Sequence, residues 1–337
     1  MNIKKIQELT GFSYSTISRV LNGKAKEFRI SKKTSQKIIE VAKLLNYRPN
    51  ILARSLRLKK TMTIGLIVSD IRNPFFGEFA SCIEKLLHEH GYSTILCNTS
   101  EISDNEDLYL EVLEGRQVDG IIIAPIHMEE WPHIKSLRNY QHLILIDRIF
   151  RTTDLPWVTS ENMQAAEAMT DEMIRLGYKR IAFLGGTLNT YINEVRYKGF
   201  QNSFLKHSLM VDESLVSFTG YSAEAGEEML ETLWSKRNDI EAVFCVNNLV
   251  FFGALKVVNR IEAETRRRLL MSAFDTGRYS SLLQHPQIIA NQDLAKLAEC
   301  SVSLLLDRIH DRPLENHQIV LPISIEQYFI GGGPRTH

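Results

Sequence analysis

The residues directly after the apolar runs in the second part of this 337-residue chain are rich in carboxylates, amides and aromatic rings. They lie at positions 70–76, 125, 147–148, 185–186, 247–248 and 275. Carboxylates and amides bind hydroxyl groups, and aromatic rings cover the apolar face of a cyclic ligand. Because ligands of open α/β sheets bind outside the carboxyl ends of the strands, these residues predict a site for a sugar or a nucleoside-like molecule.

A second group of candidate side chains lies near the start of the chain, in the stretch YSTISRVLNG. Its apolar residues recur at helical spacing, which turns Tyr14, Ser15 and Arg19 outward near the start of a helix. A recognition helix presents side chains to the DNA major groove in this way, and Arg19 can donate two hydrogen bonds to a guanine.

The segments around this stretch predict three short helices with one small core. Gly11 permits a tight turn, and Ser13 stands where a helix N-cap is expected. Ser31 is a second N-cap candidate, ahead of a helix that extends to about Asn46. Two short helices joined by such a turn indicate a helix-turn-helix.

The stretch NYRPNILARSLRLKKT follows the third predicted helix, which Pro49 ends. The residues after Pro49 can form about two helical turns, too short to be stable alone in water. Leu52 and Leu56 share one face, and Leu56 suits a wedge between base steps in the minor groove. The alternative is a linker helix whose leucines dock on the next domain.

The charge of the chain is divided unevenly. Residues 1–60 contain fifteen Lys and Arg against three Asp and Glu, a net charge of +12, and the chain has 40 of each type, so the remainder carries −12. A basic head on an acidic body is typical of a polyanion-binding module joined to a different domain, although a solvated basic face is the simpler alternative.

From Thr63 onward the sequence alternates apolar runs with amphipathic segments. TIGLIVSD, YSTILCN, VDGIIIAP and HLILID are apolar enough for parallel strands buried on both faces. A second series begins near Glu161, with RIAFLGG, AVFCVNN and RLLMSAFD as strands. Two series of βα units predict two lobes, each with a parallel sheet flanked by helices.

Several motifs that are absent from the sequence bear on its cellular compartment and on whether it is an enzyme. The four cysteines have no CxxC pairing and are expected to be buried free thiols, and neither a signal peptide nor a membrane span is evident, so we expect a cytoplasmic protein. No G-x-S-x-G elbow, H-E-x-x-H pair, Walker loop or G-x-G-x-x-G fingerprint is present. We therefore expect no enzyme, metal site or cofactor.

The motifs SYSTISRVLNG, NYRPNILARSLR and TIGLIVSDIRNPFF resemble the LacI/GalR family of bacterial transcriptional repressors, over almost the whole chain. The longer segment NGKAKEFRIS is similar to the fructose-repressor branch. The resemblance implies a three-helix DNA-binding domain and a two-lobed, periplasmic-binding-protein-like effector domain. It places the DNA-binding domain at 1–48, a hinge helix and linker at 49–61, and the effector domain at 62–337. Its first lobe would comprise about 62–160 and 292–321, and its second about 161–291 and 322–337.

The resemblance also implies which residues bind. The expected DNA-binding residues are Tyr14, Ser15, Thr16, Arg19, Asn22, Arg29, Leu52, Arg54, Ser55 and Leu56. The expected effector-binding residues are Asp70, Asn73, Phe75, Phe76, Asp147, Arg196, Tyr221, Asn247 and Asp275. Asn248 departs from the Asp usual in the family, and AFDTG replaces the commoner GYDD type of sequence. Arg148 and Arg196 suit a phosphate, but Arg148 can equally pair with a neighbouring acid.

The expected function is a sequence-specific regulator, a repressor in the first place, that reads a pseudo-palindromic operator as a homodimer. A sugar or sugar phosphate between the lobes would control operator affinity by rotating the first lobes and changing the separation of the two hinge segments. One alternative is an activator or a corepressor-dependent repressor. Another is a cytoplasmic sugar-binding or sugar-processing protein whose basic head is structural.

Overall fold

The computed structural model describes residues 3–21, 23–47, 60–131, 137, 140–283, 285–313, 316–328 and 335–336. The chain divides into two compact units, Met1–Thr61 and Met62–His337. Each unit has an apolar core of its own.

The first unit contains helices α1 (Ile3–Thr10), α2 (Tyr14–Leu21) and α3 (Lys32–Leu44). Its buried core is small and consists of Ile6, Ile17, Val20, Ile38 and Ala42. The turn between α1 and α2 passes through Gly11 at φ 73°, which supports the predicted turn. Both predicted caps are confirmed, because Ser13 Oγ accepts from the Thr16 N–H at 3.2 Å and Ser31 Oγ accepts from the Thr34 N–H at 3.1 Å.

The second unit begins with a parallel sheet, which with its helices is termed the first lobe. Its strands are β1 (Thr63–Val68), β2 (Ser93–Asn98), β3 (Gly120–Ile123), β4 (Leu143–Ile146), β5 (Trp157–Ser160) and β11 (Gln318–Leu321). They lie in the order β11-β5-β4-β3-β1-β2. The helices of this lobe are α4 (Pro74–Glu89), α5 (Ser103–Gly115) and α10 (Leu294–Ile309).

The second lobe is built on another sheet. Its strands are β6 (Ile181–Gly185), β7 (Val216–Phe218), β8 (Ala242–Cys245), β9 (Leu270–Phe274), β10 (Gln287–Gln292), β12 (Ile323–Tyr328) and β13 (Arg335–Thr336), in the order β13-β12-β10-β9-β8-β6-β7. Its helices are α6 (Asn162–Arg175), α7 (Tyr191–Lys206), α8 (Ala223–Lys236) and α9 (Asn248–Thr265). The pairs β10–β12 and β12–β13 are antiparallel, and the other described pairs are parallel.

The two lobes repeat one strand order. The first lobe runs β5-β4-β3-β1-β2 and the second runs β10-β9-β8-β6-β7, so β4 and β9 occupy equivalent positions. Because parallel strands end at the same edge of their sheet, residues that follow β4 and β9 lie at equivalent places in the two lobes.

The chain passes between the lobes three times. It leaves the first lobe between β5 and α6, returns between β10 and α10, and leaves again at Pro322 between β11 and β12. Three short connections of this kind suit a hinge, because few backbone torsions must change when the lobes move.

Two expectations from the sequence were wrong in part. Strand β2 is not buried on both faces, since Leu96 is 46% exposed, and the reason is that β2 is the edge strand of its sheet. All four thiols are free, but Cys82 and Cys300 are only half-buried. They lie on helices α4 and α10 that cover the first sheet, whereas the buried Cys97 and Cys245 lie on strands.

Helices α8 and α9 approach each other so closely that only glycine fits between them. A Cβ on Gly253 would lie 1.8 Å from the Ala223 carbonyl oxygen, and a Cβ on Gly226 would lie 2.2 Å from the Val250 carbonyl oxygen. Backbone atoms cannot rotate away as a side chain can, so any larger residue must separate the helices.

Gly253→Ala is therefore expected to lower the free energy of unfolding by about 1–3 kcal/mol. Urea unfolding of the full chain measures the change. The matched control is Gly115→Ala, because a Cβ on Gly115 meets nothing within 4 Å and alanine favours the helix. Equal stabilities of the two variants would contradict the close approach of α8 and α9.

Candidate functional site

The carboxyl ends of both sheets border one small cavity of about 30 Å³. Residues of both lobes line it, namely Asn73, Phe75, Phe76, Asp147, Arg148, Ile192, Arg196, Tyr221, Asn247, Asn248, Asp275 and Gln292. This set includes every effector residue expected from the sequence except Asp70. We call it the cleft cavity.

Two carboxylates occupy equivalent positions on the two sides of the cleft cavity. Asp147 follows β4 and Asp275 follows β9, and both residues have left-handed backbones at φ 60° and 57°. The next strand holds each of them, since Asp147 N–H donates to the Val158 carbonyl at 2.9 Å and Asp275 N–H to the Ala290 carbonyl at 2.8 Å. Strained residues of this kind cluster at functional sites.

Burial governs the ionisation of both acids. It raises the pKa of Asp147 to about 6, against the opposing effects of the Arg196 and Arg148 charges. Burial likewise raises the pKa of Asp275, which Arg196 and hydrogen bonds from Gln292 partly offset. The charged forms of the two acids therefore depend on the arginines beside them.

Arg196 is the buried cation of the cleft cavity. Asn162 Oδ1 accepts from its Nε at 2.9 Å and from its Nη2 at 2.6 Å, and the Val246 carbonyl accepts from Nη1 at 2.6 Å. The guanidinium lies 3.5 Å from the centre of the Phe274 ring. Burial lowers the pKa of Arg196, whereas the Asp275 and Asp147 charges raise it.

Arg148 pairs with an acid, which answers the question that the sequence left open. Its Nη1 donates to Glu101 Oε2 at 2.8 Å and its Nη2 to Glu101 Oε1 at 2.5 Å. Burial lowers the pKa of Arg148, but the Glu101 charge and hydrogen bonds outweigh it, so the pKa is raised. The guanidinium also lies 5.0 Å from the centre of the Tyr221 ring.

Asn248 joins the two lobes directly. Its Nδ2 donates to Asn73 Oδ1 at 2.9 Å and to the Asp275 carbonyl at 3.0 Å. Asn73 Oδ1 also accepts from the Phe75 N–H at 2.9 Å as the N-cap of α4, which fixes it as an acceptor. Among the described residues, the buried Asn248 Oδ1 has no hydrogen-bond partner.

The other predicted effector-binding residues that line the cleft cavity differ in their contacts. Phe75 and Phe76 are both buried and pack edge to face with ring centres 5.0 Å apart. Asn247 caps α9 through the Val250 N–H at 2.8 Å and donates to the Tyr221 carbonyl at 3.1 Å. Its amide is therefore already engaged in holding this edge of the lobe.

Asp70 lies apart from the cleft cavity. It accepts from Arg72 at 2.9 to 3.2 Å and lines an adjoining cavity of about 240 Å³. Another cavity of about 360 Å³, lined by Phe75, Asp275 and Gln292 among others, adjoins the opposite side.

Sequence reasoning missed the residues that hold the charged groups in place. Glu101 pairs with Arg148, Asn162 orients Arg196, and Gln292 donates to both carboxylate oxygens of Asp275 at 2.9 and 2.8 Å. Asn162 follows strand β5 and Gln292 ends strand β10. Both could have been found by applying to these two strands the rule that ligands bind at strand ends.

The expected DNA-binding residues of the first unit lie on its surface where they are described. Tyr14 is 56% exposed, Ser15, Arg19 and Arg29 are exposed, and Thr16 is half-buried. Asn22, Leu52, Arg54, Ser55 and Leu56 lie outside the described residues. Their roles and the boundaries of the hinge segment stay predictions.

The described part of the chain also bears on metal binding and on membrane insertion. No group of three or more His, Cys, Asp or Glu residues there could hold a metal ion. No helix there is long and apolar enough to cross a membrane.

Two family models match the chain. Residues 61–295 match the periplasmic binding proteins and sugar-binding domain of the LacI family, and residues 2–50 match the bacterial regulatory proteins of the lacI family.

Curated relatives match along nearly their whole length. Catabolite control protein A of Priestia megaterium is 30% identical over 316 residues, which cover 93% of this chain and 94% of that protein. The ribose operon repressor of Halalkalibacterium halodurans is 27% identical over 323 residues, 96% of this chain and 95% of the relative. A solved structure of the lac repressor dimer, bound to operator and the anti-inducer ONPF, matches with a TM-score of 0.82 at 20% identity, over 96% of this chain and 97% of that one.

Asn248→Asp is expected to favour open lobes, because a carboxylate cannot donate to Asn73 Oδ1 or to the Asp275 carbonyl. Losing this bond costs about 1 kcal/mol, which lowers the ratio of closed to open molecules about fivefold. Small-angle X-ray scattering of the ligand-free full chain should show a larger radius of gyration.

The control is Asn105→Asp, since Asn105 Nδ2 donates to the Thr99 carbonyl at 3.0 Å within the first lobe. The same radius for wild type, variant and control would show that Asn248 does not hold the lobes together.

Proposed function

The chain belongs to the LacI family of bacterial regulatory proteins, and we propose that it represses transcription from an operator whose occupancy is controlled by a sugar bound between the two lobes. We also propose that it acts as a cytoplasmic homodimer without catalytic activity. The relatives named above support this, because they are DNA-binding regulators and one was solved as a dimer on its operator.

The observation that carries the sugar proposal is the convergence of Asp147 and Asp275 on one cavity from different lobes. Carboxylates accept hydrogen bonds from the hydroxyl groups that a sugar presents on its rim. The Phe75 and Phe76 rings, in the same lining, suit its apolar face. A ligand that bridges the two acids interacts with both lobes, so it holds them at the separation that its own size requires.

Protein acceptors engage the cleft arginines only in part, so the cleft suits either a sugar or a sugar phosphate. Among the described lining residues the cations are Arg148 and Arg196, and both are engaged by protein acceptors. In the described structure the buried Arg148 Nε has no hydrogen-bond partner, so a phosphate oxygen can accept from it without displacing Glu101. A hydroxyl group of a neutral sugar can accept from the same donor.

Control of the operator requires a difference in affinity between two states. The cleft cavity of about 30 Å³ holds about one water molecule, so a sugar enters only when the lobes separate and the Asn73–Asn248 bond breaks. A tenfold change in operator affinity needs about 1.4 kcal/mol of coupling between the sugar and the DNA. The route through the hinge segment stays the prediction made from the sequence.

The proposed function is tested by separating the two binding activities. Selection from a random DNA library and a thermal-shift screen of sugars and sugar phosphates supply the operator and the ligand. Asp275→Asn is expected to weaken sugar binding at least about tenfold, the loss of one charged acceptor, and to leave operator affinity unchanged without sugar. Arg19→Ala is expected to weaken operator binding and to leave sugar affinity unchanged.

Three other results would change this conclusion. Sugar binding without any DNA sequence preference would favour the rival, a sugar-binding or sugar-processing protein. Binding of sugar phosphates only would exclude an unphosphorylated sugar, and tighter operator binding with sugar would make the sugar a corepressor.

The pH dependence of sugar binding tests Asp147. Because its pKa is raised to about 6, the carboxylate takes up a proton as the pH falls through 6, and sugar affinity should drop about tenfold per pH unit below that value. Isothermal titration between pH 8 and pH 5 measures it. Asp147→Asn should bind weakly with no inflection near pH 6.

As the pH falls below 6, the contribution of Asp147 to the stability of the ligand-free protein should rise, whereas sugar affinity falls. A raised carboxyl pKa means that the folded state binds the proton more tightly, so Asp147 adds stability as the pH falls from 6 toward its unfolded value of 3.8. The difference in urea stability between wild type and Asp147→Asn isolates this contribution from those of the other acids. A difference that is constant with pH would contradict the burial of a charged Asp147.

A further inference from the structure

The segment after α2 forms a closed turn of fixed shape. Phe28 N–H donates to the Lys24 carbonyl at 3.2 Å, Arg29 N–H to Lys26 at 3.1 Å, and Ile30 N–H to Ala25 at 2.8 Å. Arg29 has a left-handed backbone at φ 52°, as expected for the residue that ends such a turn. Lys24 N–H also donates to the Arg19 carbonyl at 2.9 Å, which ties the turn to α2.

This turn places an aromatic ring against the side chain expected to read the operator. The Arg19 guanidinium carbon lies 3.9 Å from the centre of the Phe28 ring. Phe28 remains 41% exposed, so burial in the core of the first unit does not account for its position. Its contact with Arg19 is a cation–π contact over the face of the ring.

We propose that Phe28 positions Arg19 for sequence readout, so that the turn Lys24–Ile30 is part of the recognition surface. This inference rests on the proposed function, since it requires operator binding. Stacking covers one face of the planar guanidinium, whereas its N–H donors point outward in the plane. The stacked side chain can therefore still donate two hydrogen bonds to the O6 and N7 atoms of a guanine.

The physical benefit is preorganisation. A free arginine side chain samples many rotamers and loses that freedom when it binds a base. A guanidinium already held against a ring loses less freedom on binding, and a cation–π contact at an exposed site corresponds to about a two- to fivefold effect on affinity. Phe28 acts through Arg19, so its effect must disappear when Arg19 is absent.

A double-mutant cycle in the full chain tests this dependence. Phe28→Leu should weaken operator binding about two- to fivefold and reduce discrimination at the base pair that Arg19 reads. Phe28→Tyr keeps the ring and should bind as wild type. In an Arg19→Ala background, Phe28→Leu should change neither affinity nor discrimination.

Two control variants separate positioning from other roles. Ile39→Ala removes apolar area at a side chain of the same 41% exposure on α3 and should leave discrimination unchanged. Arg29→Gly suits the left-handed position and keeps the turn, but removes a cation, so it should lower the salt dependence of binding about equally for all DNA sequences. Phe28→Leu should leave that salt dependence unchanged.

Additive losses from Phe28→Leu and Arg19→Ala would overturn the inference and make Phe28 an independent DNA contact or a structural residue. An equal effect of Phe28→Leu on operator and on unrelated DNA would overturn it as well. If wild type shows no sequence preference at all, the proposed function fails together with this inference.

Discussion

Two buried carboxylates that line one cleft from different lobes, and one arginine whose charge acts on both, are the constraint on which the cleft depends. Asp147 belongs to the first lobe, whereas Asp275 and Arg196 belong to the second. Burial opposes both negative charges, and the arginine opposes that effect. The charge of Arg196 in the second lobe therefore lowers the pKa of Asp147 in the first, and Asn162 and the Val246 carbonyl accept hydrogen bonds from that cation. The same three charged side chains therefore determine both the energetics and the geometry of the cleft.

Much of this arrangement could be predicted from local sequence. Apolar runs identified the strands, and the rule that ligands bind at strand ends led to Asp147 and Asp275. The partners could not be predicted in the same way, because Glu101 is 47 residues from Arg148 and Asn162 is 34 residues from Arg196. The hydrophobicity of a strand does not reveal its place in the sheet. For this reason β2 was expected to be buried, although it forms an edge.

The departure at position 248 has a physical reason in this structure. An aspartate there would add a third negative charge to a cavity already lined by Asp147 and Asp275, and it could not donate to Asn73. The amide of Asn248 instead donates to acceptors of both lobes, one of them committed by the cap of α4. At position 248 an amide thus makes a contact between the lobes that a carboxylate could not make.

The small volume of the closed cleft has a kinetic consequence. Because about 30 Å³ admits no sugar, a sugar can bridge Asp147 and Asp275 only after the lobes part. The association rate at high ligand concentration is then limited by the opening rate and becomes independent of concentration. The lifetime of the Asn73–Asn248 contact would in this way determine how quickly the protein responds when the supply of sugar changes.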